Sequence, residues 1–316
     1  MEVIRSRYRN GNVMEKFYHK DGEYHREDGP ALIRYYENGQ AREEYWYRNG
    51  EHYRKNGPVE IKYRENGSKI CEFWYEVDNV SKKSKSIEIS YYENGNKRSE
   101  RHYKNRSSYR EDGPATIFYY ENGNIEVEYW YRECGLHRED GPAMVKYNED
   151  GTKEMEKWYI NNKKSRKDGA TVIFYHKNGN KKSEKYYDNE NVHREDGPAI
   201  TYYYENGNIE EQYWIHKCLK DRLDGPAIIC YYKNGNISAE HWIINEKHTR
   251  LDGPASVHYY ENGYKKNEYW YCDGVFHRNN GPAIITYNAQ GNVVCEDYYL
   301  NGKSVDELVI LTSDNI

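Results

Sequence analysis

The sequence of 316 residues has few of the usual apolar core residues. It contains 5 Phe and 4 Met, and hydrophobic types make up 36% of it. Together with 31% charged residues, this composition taken alone is typical of a disordered chain. The chain also contains 37 Tyr, however, whose ring can be buried while its hydroxyl keeps a polar partner. We therefore expect a folded chain whose core is rich in tyrosine.

Pairs of cysteines, long apolar runs and an excess of positive charge are also missing. The six Cys form no CxxC pair and have no regular His neighbours, which argues against a zinc site or a disulfide framework. No segment approaches the roughly 18 apolar residues of a membrane span, and the N-terminus lacks an apolar leader. The net charge of −5 gives no overall field that attracts nucleic acid. These absences predict a cytoplasmic protein without a transmembrane segment, a metal, a cofactor or a nucleic-acid partner.

The chain is instead dominated by a repeat of 28 residues. One Gly recurs at this interval, and all eight Pro stand directly after it. The members of this column are Gly29, Gly57, Gly113, Gly141, Gly169, Gly197, Gly225, Gly253 and Gly281. All seven Trp share another phase of the repeat, at Trp46, Trp74, Trp130, Trp158, Trp214, Trp242 and Trp270. Ten units therefore follow one another in unbroken register.

Each unit has the pattern of a β-hairpin. In the unit from Gly29 to Asn56, two short β-rich runs, 31–36 and 41–47, are separated by Asn38-Gly39, a strong hairpin-turn signal. No segment shows helical spacing of apolar residues over 11 or more positions. We predict an all-β fold: an elongated, open-ended, single-layer antiparallel sheet, or β-solenoid-like array, of ten 28-residue hairpin repeats. The array spans 29–302, after a partial repeat and N-terminal cap at 1–28 and before a C-terminal cap or tail at 303–316.

Alternation along the first run predicts which side chains face inward. Small residues, then Ile or Val, then an invariant Tyr occupy every second position, which indicates one buried face. The Tyr column includes Tyr35, Tyr63, Tyr119 and Tyr203. The intervening column, which starts at Arg34, varies freely and is predicted to face solvent. The Trp column packs between consecutive hairpins or forms a stacking platform, and the sequence leaves open whether it is buried.

Two charged columns are nearly as regular as the aromatic ones. A Glu stands two residues before the Trp position, as at Glu44 and Glu128, and an Arg stands three residues before the Gly-Pro step, as at Arg26, Arg138 and Arg194. A catalytic carboxylate needs a particular environment that shifts its pKa, and a column with nine copies argues against one. We predict a structural ladder in which each Arg binds a carboxylate or turn carbonyls, and no catalytic residue.

The third unit is the main irregularity. Where its neighbours read Arg-x-Asp-Gly-Pro-Ala, it reads Lys82-Lys83-Ser84-Lys85-Ser86-Ile87 and still keeps register. One interpretation is the decay of a single repeat. The other is a local basic patch, formed by Lys82, Lys83 and Lys85, for an acidic partner or for phosphate groups.

The pattern resembles MORN repeats, specifically the divergent variants abundant in giant viruses of amoebae. The matching residues are the Glu-Tyr-Trp-Tyr step at 44–47 with Asn49-Gly50, and the His-Arg-x-Asp-Gly-Pro-Ala runs at 25–31, 137–143 and 193–199. The period of 28 residues and the Gly-Pro step depart from ordinary MORN repeats. The resemblance implies a scaffold or binding surface and not an enzyme.

The function we expect is therefore a viral scaffold that binds proteins in the host cytoplasm. One alternative is a peripheral phospholipid binder that uses the Lys patch, and another is a glycan or nucleic-acid binder that uses the Tyr and Trp columns. Pairing of two copies through the terminal edges of the sheet is a further expectation.

Overall fold

The chain folds into short antiparallel strands and the turns that join them. The structure is a computed structural model that describes residues 1–77, 84–132, 135–188, 190–216 and 219–305. Within these ranges there is no helix, so the all-β prediction is confirmed. The predicted cap or tail at 303–316 lies outside the described residues from position 306 onward.

The chain forms two compact units. The first comprises Met1–Lys153 and Tyr159–Asn162, and the second comprises Glu154–Trp158 and Lys163–Ile316. Each unit contains an antiparallel sheet whose long strands follow one another in chain order. Among the described strands, no pairing joins the first long strand of either unit to its last, so the sheet is open within each unit. The predicted open array of hairpins is confirmed.

The strands that begin before residue 150 carry the regular repeat and its one irregular copy. They are β1 (Glu2–Arg7), β2 (Val13–Lys20), β3 (Glu23–Tyr24), β4 (Leu32–Tyr35), β5 (Ala41–Tyr45), β6 (Tyr47–Arg48), β7 (Glu51–His52), β8 (Glu60–Tyr63), β9 (Lys69–Val77), β10 (Ser84–Tyr91), β11 (Lys97–Lys104), β12 (Ser107–Ser108), β13 (Thr116–Tyr119), β14 (Ile125–Tyr129), β15 (Tyr131–Arg132), β16 (Gly135–Leu136) and β17 (Met144–Tyr147).

The strands that begin after residue 150 repeat the same order of lengths: four, five, two and two residues. They are β18 (Lys153–Lys157), β19 (Tyr159–Ile160), β20 (Lys163–Lys164), β21 (Val172–Tyr175), β22 (Lys181–Lys185), β23 (Tyr187–Asp188), β24 (Asn191–Val192), β25 (Ile200–Tyr203), β26 (Ile209–Tyr213), β27 (Ile215–His216), β28 (Leu219–Lys220), β29 (Ile228–Tyr231), β30 (Ile237–His241), β31 (Ile243–Ile244), β32 (Lys247–His248), β33 (Ser256–Tyr259), β34 (Lys265–Tyr269), β35 (Tyr271–Cys272), β36 (Val275–Phe276), β37 (Ile284–Tyr287), β38 (Val293–Asp297), β39 (Tyr299–Leu300) and β40 (Lys303–Ser304).

A regular repeat consists of one main hairpin and one minor hairpin. In the main hairpin, β4 pairs with β5 in a register that places Ile33 opposite Glu44. The turn between them needs Gly39, whose φ of 88° lies in the region that side chains with a Cβ rarely adopt. After Trp46 the chain leaves the main sheet and forms the minor hairpin β6–β7. A loop with the Gly-Pro step then leads to the next main strand.

The core of each repeat begins at the residue after the Gly-Pro step. The Ala at this position is fully buried in seven repeats, at Ala31, Ala115, Ala143, Ala199, Ala227, Ala255 and Ala283. The Ile or Val two residues later is also buried in most repeats, as at Ile33 and Ile61. The column that starts at Arg34 is half-buried and not free in solvent, because neighbouring strands cover it. Arg34, for example, lies between the carboxylates of Glu15 and Glu43, each at 2.8 Å.

Candidate functional site

Within each unit, the Tyr and Glu columns form hydrogen bonds between consecutive repeats. The register places each Glu beside the following Tyr, and the Tyr hydroxyl donates to the Glu carboxylate. The pairs and their O–O distances are Tyr63–Glu44 (2.8 Å), Tyr91–Glu72 (2.8 Å), Tyr147–Glu128 (3.0 Å), Tyr175–Glu156 (2.6 Å), Tyr203–Glu184 (2.5 Å), Tyr259–Glu240 (2.7 Å) and Tyr287–Glu268 (2.8 Å). Where Gln212 replaces the Glu, Tyr231 donates to its amide oxygen at 2.8 Å.

Burial and nearby carboxylates raise the pKa of several tyrosines in this column, such as Tyr63, Tyr175 and Tyr259. Burial is the larger cause and the carboxylate is the second, and together they raise the pKa of Tyr119 and of Tyr287 to about 12. The hydroxyl is therefore a donor at neutral pH, and the Glu oxygens accept it. The Glu column thus has a structural use in the fold, and Tyr is its regular partner.

The Arg column stacks on the Trp column. Where a Trp or Tyr stands eight residues before the Arg, the guanidinium lies over its ring, close enough for a cation–π contact. The distances to the ring centroid are Arg54–Trp46 (3.9 Å), Arg138–Trp130 (4.3 Å), Arg166–Trp158 (4.0 Å), Arg222–Trp214 (4.2 Å), Arg250–Trp242 (4.1 Å) and Arg278–Trp270 (3.8 Å). Tyr18 and Tyr186 replace Trp under Arg26 and Arg194, at 4.0 and 4.1 Å. The Trp side chains, Trp74 included, are half-buried. The sequence left open whether this column is buried, and the structure places it between full burial and full exposure.

The same arginines bind the turn that carries the Gly-Pro step, as the sequence predicted. Arg26 Nε donates to Asp28 at 2.8 Å, and Arg138 and Arg194 bind Asp140 and Asp196 at the same distance. Other guanidinium nitrogens bind a backbone carbonyl, as Arg54 does at Pro58 (3.0 Å). Two repeats have Asn where the others have Asp: Asn56 stands after Arg54, and Asn280 stands after Arg278.

A second set of contacts between repeats was not predicted. The residue after the Tyr column is often another Tyr, whose hydroxyl donates to a backbone carbonyl of the next repeat. Tyr36, for example, binds the carbonyl of Tyr63 at 2.8 Å, and Asn38 in the same turn binds that of Glu65 at 3.1 Å. The signal was present in the sequence as a column: Tyr8, Tyr36, Tyr92, Tyr120, Tyr204, Tyr232 and Tyr260.

The third repeat opens a groove in the first unit. Here β9 runs through Trp74 and stays paired with β10 as far as Val77 opposite Ser84, where other repeats bend into a minor hairpin. The groove has a volume of about 1320 Å³ and lies between the minor hairpin β6–β7 and the segment 102–112. Lys85 lines it and is exposed. Lys82 and Lys83, the other two residues of the predicted basic patch, lie outside the described residues.

Three histidines cluster in the second unit. The ring of His241 lies 5.5 Å from the rings of His248 and His258. Burial, reinforced by these two neighbours, lowers the pKa of His241 to about 4. Its ring is therefore neutral at pH 7. Within the described ranges no group of three or more His, Cys, Asp or Glu is arranged to hold a metal ion.

Comparisons with known proteins add no assignment. No family model matches the chain, and no curated protein matches it. In the part of the chain that the structure describes, no helix has the length and apolar character of a membrane span.

Proposed function

We propose that this protein is a non-enzymatic repeat scaffold that binds other proteins, and that it is a viral protein acting in the host cytoplasm. The observation that carries the proposal is the internal use of the repeated polar side chains. The Glu column accepts from tyrosines, and the Arg column is held by aromatic rings and turns. Repetition with internal partners favours a structural role for these groups over catalysis. The viral and cytoplasmic parts rest on the resemblance to MORN-repeat variants.

Exposed apolar side chains support a protein partner. Leu223 and Leu251 stand at the same position of consecutive repeats and are 86% and 104% exposed. Val293 and Val294 on β38, the last long strand of the described residues, are 51% and 60% exposed. Large apolar side chains that recur on a surface are typical of contacts with proteins. The exposed β38 also favours self-association of two copies through this strand.

The two alternatives have weaker support. One face of each stacked Trp ring is covered by a guanidinium, which argues against stacking of sugars or bases on the Trp column. For a phospholipid surface, Lys85 is the described residue that favours binding.

In-cell cross-linking of the tagged full chain, followed by mass spectrometry, tests the proposal. We expect reproducible cross-links to a small set of proteins, with sites near Leu223, Leu251 or β38. The variant with Leu223→Ser and Leu251→Ser should lose the cross-links near those residues. Failure to recover any reproducible protein partner, together with co-sedimentation of the purified chain with anionic vesicles, would replace the scaffold by the phospholipid binder.

A further inference from the structure

We infer that the groove at the third repeat binds an extended acidic segment of a partner protein, which adds as a strand along the free edge of β9. This inference rests on the proposed scaffold function and names a site and a partner chemistry for it. It combines three observations: an unpaired strand edge, an uncovered aromatic ring and an excess of positive charge.

The strand edge is open at Tyr75. On one side, β9 pairs with β10 along its length from Cys71 to Val77. On the other side, its pairing with β8 ends at Phe73 opposite Glu60. Backbone groups of consecutive residues point to opposite sides of a strand, and Phe73 O accepts from Val59 N, so Tyr75 also points to this second side; among the described residues, no backbone hydrogen bond joins Tyr75 to the chain there. Unpaired backbone groups at a strand edge are a template for a further strand, and main-chain hydrogen bonds then supply affinity without sequence specificity.

The ring of Tyr75 is uncovered in comparison with the same position in other repeats. Tyr75 is 47% exposed and lines the groove. Its counterparts lie in minor hairpins and are half-buried, because a ring of the paired strand covers each one: the ring centroids of His52 and Tyr47 are 4.4 Å apart, and those of Phe276 and Tyr271 are 4.6 Å apart. Alternate side chains of an added strand point to one face, so one of them would contact this ring.

The groove is locally positive although the chain is negative overall. Its lining has six Lys or Arg and four Asp or Glu. Two of these carboxylates are already paired, Glu111 with Lys104 and Asp112 with Arg110, each at 2.9 Å. The charges therefore complement a segment that carries carboxylates.

Arg54 is the specific anchor for a carboxylate. In most repeats with an Asp two residues after the Arg, such as Arg26 with Asp28, that carboxylate accepts from Arg Nε. Asn56 takes its place in the loop that lines the groove. A carboxylate of the partner would fill the position that Asp occupies elsewhere, in the two-donor geometry that guanidinium favours. Lys85, exposed on β10, is a second contact.

Fluorescence anisotropy of a labelled peptide tests the site on the full chain. The probe is Glu-Val-Glu-Thr-Val-Glu, compared with the same peptide carrying Lys for Glu and with one in which alternate amides are N-methylated. We expect saturable binding of the acidic peptide that weakens with salt, and at least tenfold weaker binding of both comparison peptides. Hydrogen exchange at the amide of Tyr75, which faces the free edge, should slow when the acidic peptide is bound.

The chain offers a matched control for the key variant. Arg278 stacks on Trp270, binds the carbonyl of Pro282 at 3.1 Å and is followed by Asn280, so Arg278→Gln removes the same internal contacts as Arg54→Gln. We expect Arg54→Gln and Lys85→Glu each to weaken peptide binding several-fold, and Arg278→Gln to leave it unchanged. Because Lys85 is exposed, its variant tests the charge without disturbing the fold.

Several results would overturn the site. One is that Arg278→Gln weakens peptide binding as much as Arg54→Gln does. Another is that the Lys peptide or the N-methylated peptide binds as tightly as the acidic peptide. The third is that the acidic peptide shows no saturable binding. Cellular partners that cross-link equally to the double variant Arg54→Gln and Lys85→Glu would refute this groove and leave the scaffold function intact. If the unaltered chain cross-links to no reproducible protein partner, the scaffold function itself is refuted.

Discussion

Individual polar residues are satisfied by partners at fixed distances along the chain. A Tyr hydroxyl finds a carboxylate 19 residues before it, as Tyr175 finds Glu156, and an Arg finds an aromatic ring eight residues before it, as Arg166 finds Trp158. Because these separations are constant, the same bond is made in repeat after repeat. The chain can therefore bury a polar composition without many unpaired groups.

A Tyr hydroxyl that donates to a carboxylate should stabilise the fold more than one that donates to a neutral amide. Tyr175→Phe removes a 2.6 Å hydrogen bond to Glu156, which is 6% exposed, and we expect a loss of about 1.5 to 3 kcal/mol in local stability. Tyr231→Phe removes a 2.8 Å bond to the neutral Gln212 and should cost about 0.5 to 1.5 kcal/mol. Native-state hydrogen exchange near each site measures both losses. Equal losses would show that the charge of Glu156 contributes nothing.

Thiol reactivity gives a second test at this scale. Burial, with smaller contributions from Glu211 and Glu210, raises the pKa of Cys230 to about 11, whereas Cys272 and Cys295 are exposed. Because the thiolate is the reactive form, Cys230 should react with iodoacetamide at pH 8 at least about tenfold more slowly than the two exposed thiols. Peptide mass spectrometry over time gives the three rates. Comparable rates would mean that β29 opens readily.

The main and minor hairpins have separate roles in each repeat. The main hairpin supplies the buried Ala and Ile positions, while the minor hairpin contains the residue after the Trp position and can cover its ring with one of the paired strand, as Phe276 covers Tyr271. The Arg–Trp contact ties the loop that follows the minor hairpin to the end of the main strand, as Arg250 does with Trp242. Loss of this contact should loosen one repeat and its neighbours before the rest, because units of an array contact only adjacent units.

Substitution at Trp242 tests this local character. Trp242→Ala removes the ring beneath Arg250 and should cost about 2 to 4 kcal/mol, since the side chain is half-buried. Trp242→Tyr should cost much less, because Tyr186 supports Arg194 at 4.1 Å in the same way. Hydrogen exchange should rise between residues 225 and 270 in the Ala variant and stay slow near β37. A uniform rise throughout the second unit would mean that the unit unfolds as one block.

At the scale of the whole molecule, the free energy of unfolding should fall in two steps as the pH is lowered from neutral, because His241 and Glu100 titrate in different pH ranges. The pKa of His241 is lowered to about 4, so its contribution is present above its unfolded value of about 6.5 and is lost as pH falls toward 4. The hydrogen bond from His102, assisted by Lys97 and opposed by burial, lowers the pKa of Glu100 to about 2. Its contribution is lost between about pH 4.5 and 2.

Hydrogen exchange in the two units as a function of pH separates these steps. Protection of the second unit, which contains His241, should fall between pH 6.5 and 4 by an amount equivalent to about 2 kcal/mol. His241→Tyr should flatten this decrease, because Tyr occurs at the same position in the neighbouring repeats, as Tyr213 and Tyr269. An unchanged decrease in this variant would assign the effect to other groups.

Periodicity alone determined the repeat, the all-β class, the turns at Asn-Gly and the buried Ala and Ile positions. These properties depend on local sequence: a Gly with positive φ fixes each turn, and a period of two fixes each face. The partners of the charged columns were decided only by strand register in the tertiary structure. Register brings Glu44 to Tyr63 and not to an Arg, and the return of the loop places Arg54 over Trp46.

The groove was likewise decided by tertiary structure. The sequence marked the third repeat as irregular and pointed to its lysines. It did not show that β9 and β10 would stay paired beyond Trp74, because that pairing depends on contacts between strands and not on the residues of either strand alone. A strand that continues in the sheet removes a minor hairpin, and the space between the neighbouring segments is the physical result.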